Sequence, residues 1–118
     1  MEQMVEMLIE MEQQMRIWHW QTKSYARHSA FGSTYSELGD LIDSFMEAYM
    51  GKYGRIQVDG TIDLSNMADD VMSKVDMYVQ FLLSMNETLD SSVDSDLLNI
   101  RDEMLGLLNK LKYLLTLK

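Results

Sequence analysis

No proline occurs anywhere in the 118 residues, and apolar side chains recur every three or four positions along four long stretches. Proline is the strongest helix breaker, and that rhythm marks a helix with one buried face. The chain is therefore constrained to long, uninterrupted helices. The six glycines agree, standing mostly near the ends of the stretches.

The first predicted helix runs from about Glu2 to about Tyr25, with Met4, Leu8, Met11, Met15 and Trp18 as its apolar stripe. The second runs from about Ser29 to Tyr53 on Phe31, Tyr35, Leu38, Ile42, Phe45 and Tyr49. Gly51-Lys52-Tyr53-Gly54 reads as its stop, because glycine suits a C-terminal cap and lysine the negative end of the helix dipole. Residues 54–61 are the strong central loop signal. A third helix is expected after it, capped by Asp63 or Ser65, on Leu64, Met67, Val71, Val75, Tyr78, Leu82 and Met85. Residues 86–92 break the pattern again. The fourth helix starts near Val93 or Ser95 and places Leu97, Ile100, Met104, Leu107, Leu111 and Leu114 inward.

Four amphipathic helices of this length pack as one antiparallel bundle, a single all-α domain over residues 1–118. A connection over residues 54–64 reaches up to about 36 Å when extended. It is long enough to cross the length of the bundle, and equally able to relax into a short turn. Periodicity leaves both open. The twelve methionines are read as helix-compatible fillers of the core.

Composition narrows the chemistry. Cysteine is absent, which excludes disulfides, thiolate metal sites and cysteine nucleophiles. The net charge of −9 comes without any basic cluster, so DNA binding is disfavoured and cations are drawn in. The first fifteen residues carry four glutamates and neither Lys nor Arg, which is no secretory signal. No run approaches the roughly 18 apolar residues of a membrane span. A cytoplasmic protein is expected.

Two acids interrupt the apolar second helix. Asp43 and Glu47 are four apart and share a face, where a bound cation would relieve their repulsion. The two histidines of the chain, His19 and His28, lie near the first helix corner. Imidazoles and carboxylates together form a donor set suited to Fe(II), with coordination positions left for oxygen. There is no Glu-x-x-His pair, phosphate-binding glycine loop or His-Glu-x-x-His zinc motif.

From His19 to Arg55 the sequence resembles the iron-binding region of the Dps-type miniferritins of the ferritin-like superfamily. His19-Trp20 resembles that family's His-Trp pair. His28, Asp43 fifteen residues on, and Glu47 four beyond reproduce its ligand spacing. Residues 94–115 are similar to its last helix. The resemblance implies a ferritin-like bundle of antiparallel helix pairs joined by a central crossover. It implies a non-haem iron site, mono- or di-iron, formed between two chains: His19 and His28 of one face Asp43 and Glu47 of its two-fold partner. It further implies ferroxidase activity with peroxide or oxygen, and storage of ferric iron in a homo-oligomeric shell, of twelve subunits in that family. Trp20 matches a tryptophan that takes up oxidising equivalents.

Three departures stand out. Gly32 occupies the position of an Asp ligand, the two histidines are three residues closer than usual, and the central connection is shorter. Asp40, one turn from Asp43, or Glu12, two turns before His19, is a candidate substitute ligand. These departures motivate the alternative of a ferritin-like structural or interaction module without chemistry, or a dimeric metal-binding protein without a shell.

Overall fold

The computed structural model describes residues 2–68 and 70–117, Glu2 by its backbone alone. The described residues form four helices: α1 (Glu2–Gln21), α2 (Tyr25–Tyr53), α3 (Val71–Ser84) and α4 (Ser95–Leu114), with a short 3-10 turn, Met85–Glu87, after α3. No strand forms among the described residues.

The α1 stripe packs as its spacing requires, with Met4, Leu8, Met11, Met15 and Trp18 all buried. In α2 the stripe of Phe31, Leu38, Ile42, Phe45 and Tyr49 is buried too. Tyr35 is only half-buried; Thr34 is buried in its place, its hydroxyl donating to the Ala30 carbonyl at 2.7 Å. Buried apolar residues of all four helices form one cluster. Each large side chain in it contributes about 1.5–3 kcal/mol through removal from water.

Boundaries differ from expectation where local bonds intervene. The second helix starts at Tyr25, not Ser29, because Ser24 caps it: its side-chain oxygen accepts the Arg27 amide at 3.2 Å. It ends at Tyr53 as expected. There the Gly54 amide donates to the Met50 carbonyl, and Gly54 takes a positive φ of 89° with an extended ψ of 168°.

The largest correction concerns the third helix. It starts at Val71 rather than near Asp63 or Ser65, so Leu64 and Met67 lie in the connection, Leu64 exposed. The cause is competition for backbone amides. The Asp63 amide donates to Glu10 Oε1 at 2.8 Å, the Ser65 amide to Gln14 Oε1 at 2.7 Å, and the Met67 amide to Gln21 Oε1 at 2.7 Å. Gln14 Nε2 returns a bond to the Ser65 carbonyl at 2.8 Å, and Lys74 Nζ donates to the Asp63 carbonyl at 2.7 Å. Of these groups a helical turn would use the Met67 amide and the Asp63 and Ser65 carbonyls, and here α1 and Lys74 of α3 satisfy them instead. The residue order in these bonds, 63 to 67 against 10 to 21, makes the connection run alongside α1 in the same direction.

Two polar clusters tie the helix ends. Lys52 donates to the Val93 carbonyl at 2.6 Å and to Asp96 at 2.7 Å, while Tyr53 donates to buried Asp94 at the start of α4. Buried Arg101 donates to the Leu82 carbonyl and to Asn86 Oδ1, each at 2.9 Å, which satisfies the end of α3. Inward residues of α4 shift accordingly. Leu98, Arg101 and Leu108 are buried with Leu97, Met104 and Leu111, whereas Ile100, Leu107 and Leu114 are half-buried.

α1 packs on α2, α2 on α4 and α4 on α3, with a sparser contact between α3 and α1. Among the described residues no helix is long and apolar enough to cross a membrane.

Candidate metal centre

The first helix corner, residues 22–24, is so short that the last turn of α1 faces the first turn of α2. It brings His19 and His28 together. Their rings stack with centroids 3.8 Å apart and planes 18° apart. His19 Nδ1 bonds the His28 carbonyl at 2.7 Å, and His28 Nδ1 bonds the His19 carbonyl at 2.8 Å. A carbonyl oxygen only accepts, so each Nδ1 carries a proton, and Nε2 is the atom of each ring left for a ligand. Imidazole fixed through Nδ1–H to a backbone carbonyl is the arrangement that orients metal-ligating histidines. His28 is exposed and His19 half-buried, so the pair faces the surface.

Asp43, Glu47 and Asp40 are not part of this pair. All three are exposed on α2. Fifteen helical residues separate His28 from Asp43, a rise of about 22 Å. One chain cannot hold one ion with all four groups. Among the described residues, no three His or acidic side chains gather as a metal group.

The strip between the two halves was not read from the sequence as a unit. The His19 ring lies over Gly32, where an added Cβ would stand 2.9 Å from its Cε1. Seven residues earlier on α1, Glu12 lies over Gly39, seven residues later on α2; a Cβ there would be 3.3 Å from Glu12 Oε1. Between them Arg16 stacks on Tyr35, its guanidinium carbon 4.6 Å from the ring centroid, and lies 3.7 Å from Glu12. Gly32 is therefore the seat of His19 rather than only a missing ligand. The matched spacing of seven between Glu12 and His19, and between Gly32 and Gly39, was the available signal.

Glu12 also stands near the acidic half. Its carboxyl is pushed above the ordinary value, first by burial and then by the Asp43 charge, against the opposing pull of Arg16. Trp20, beside His19 in sequence, is exposed, and the Tyr25 ring lies 6.2 Å from that of His28.

The geometry defines an all-α helical-bundle protein with a paired-histidine corner. The chain belongs to the family described as a family of unknown function, DUF5856, matched over residues 19–115. That span includes His19, His28, Asp43 and Glu47. The chain is also similar to an uncharacterized 14.6 kDa protein of the mobD-ri intergenic region of Enterobacteria phage T4. The two are 35% identical over 100 residues, covering 85% of this chain and 75% of that protein. No solved structure matches.

Proposed function

We propose that the chain is a miniferritin-like iron-binding protein whose site closes between two copies. The observation that carries this is the His19–His28 pair, with both Nδ1 atoms held by backbone carbonyls and both Nε2 atoms available. Fe(II) is the substrate. His19 and His28 of one chain, and Asp43 and Glu47 of a second, supply its nitrogen and oxygen donors, with Asp40 at the edge. Where peroxide is the oxidant, two Fe(II) ions give up one electron each, the O–O bond breaks, and two protons are taken up to release two waters; the ferric product passes into a homo-oligomeric shell. Trp20, next to His19 in sequence and exposed, takes up stray oxidising equivalents. The acidic surface favours cation entry and disfavours DNA. A cytoplasmic location fits this role.

The ferritin-like crossover is part of the proposal. Its support is the connection running along α1 from Glu10 to Gln21, and the helix neighbours, which leave α2 and α3 on a diagonal. A two-fold arrangement gives two equivalent sites per pair of chains.

Anaerobic Fe(II) titration followed by peroxide or oxygen tests the activity. The parent should oxidise iron, and the Asp43→Ala, Glu47→Ala variant should lose that activity. Equal rates would overturn the site assignment.

A second reading is a helical interaction module without chemistry. It is favoured by the self-contained clasp of the histidines, which pins the corner with no metal needed. Native mass separates the two: a shell supports storage, and a monomer that takes up no metal supports the module.

A further inference from the structure

The start of α1 and the end of α3 part to leave a cavity of about 290 Å³. Met4, Met7, Phe81 and Met85 supply its apolar lining, and Gln3, Ser84 and Thr88 the polar remainder. Met4 and Met85 are buried and Met7 is half-buried. Met4 and Met7, three apart, share a face of α1, and Met85 meets them from the turn after α3.

Methionine ordinarily closes gaps, since its three torsions let it fill irregular space. Here three methionines border unfilled volume instead. The space opens to solvent, with Gln3, Ser84 and Thr88 exposed in its lining, so an ion has access to it. Among the described residues no carboxylate or imidazole lines the space, and the neutral amide and hydroxyls of Gln3, Ser84 and Thr88 are weak donors for a hard divalent cation. Thioethers are soft donors that select Cu(I). A single positive charge is also far less costly to desolvate than a double one.

We propose that this cavity is a site for a soft monovalent cation, Cu(I) by chemical class, held by the sulfurs of Met4, Met7 and Met85. The site shares no residue with the histidine corner and stands or falls independently of the iron reading.

Silver(I), the air-stable ion of the same charge and softness, is the probe. The full chain, labelled with ¹³C at its methionine methyls, is titrated with Ag(I) and followed by NMR. The methyl signals of Met4, Met7 and Met85 should shift together and saturate at one equivalent, while that of Met104 in α4 stays in place. The shift should be the same from about pH 5 to pH 8, because a thioether carries no proton to lose. Leucine conserves the volume, so the Met4→Leu, Met7→Leu, Met85→Leu variant should fold and bind Ag(I) about 100-fold more weakly. Should the triple variant not fold, Met7→Leu alone, at the half-buried position, should weaken binding about tenfold. Absence of shifts at these three methyls, shifts confined to other methionines, or undiminished affinity in the leucine variants would overturn the proposal.

Discussion

The imidazole of His19 rests on Gly32 so closely that a methyl group at that position would lie 2.9 Å from its Cε1 and 3.0 Å from its Nδ1. The close approach sets a conflict between helix propensity and packing. Alanine inside a helix is favoured over glycine by about 1 kcal/mol. Overpacking costs about 1–3 kcal/mol, so Gly32→Ala should give no net gain and should drive the His19 ring from its stack on His28. Gly106, inside α4, has nothing within 4 Å of an added Cβ. Gly106→Ala should therefore stabilise by about 0.5–1 kcal/mol. Thermal unfolding of the two variants, with imidazole NMR signals as the local readout, checks the contrast. A Gly32→Ala variant that gained as much as Gly106→Ala with His19 undisturbed would refute the seating.

Glu12 carries a pH dependence of definite sign. Burial, then the nearby Asp43, raises its carboxyl in the folded chain above the ordinary value of 4.5. The folded state thus binds this proton more tightly than the unfolded state does, and stability falls as pH rises from about 4.5 through the folded value. Glu12→Gln removes that loss. The variant should be more stable than the parent at pH 7, and the difference should vanish toward pH 4. Unfolding curves across that range check it; a variant less stable at pH 7 would mean the Arg16 pairing outweighs burial.

Gln14 is fully buried and makes two bonds to the Ser65 backbone, at 2.7 Å and 2.8 Å. Gln14→Leu keeps most of the volume and leaves the Ser65 amide and carbonyl without those partners, at a cost of about 1–3 kcal/mol. Amide hydrogen exchange at Ser65 and Met67 should accelerate while exchange in α4 changes little. Unchanged exchange at Ser65 would show that α1 does not hold the connection.

Much of the fold was legible because burial follows spacing: every member of the α1 stripe from Met4 to Trp18 is buried. The failures have identifiable causes. Leu64 and Met67 continue the rhythm of Val71 and Val75, yet Glu10, Gln14 and Gln21 claim the intervening amides, a long-range effect that no local pattern reveals. Tyr35 fits the α2 stripe but turns outward beneath Arg16. At the candidate site, sequence spacing marked His19 and His28, and the structure adds their reciprocal bonds. It also gives Gly32 a role as a packing surface, visible in advance only through the matched seven-residue spacings.

Mixing two inactive chains tests the shared site most directly. One is the His19→Ala, His28→Ala variant; the other is the Asp43→Ala, Glu47→Ala variant. Neither should oxidise Fe(II) alone. Co-refolded in equal amounts, random two-fold pairing makes half the pairs mixed, each with one complete site, so about a quarter of the parental rate should return. A mixture as inactive as its components, in a preparation shown by mass to contain mixed pairs, would contradict a site built from two copies, as would either variant oxidising iron at the parental rate.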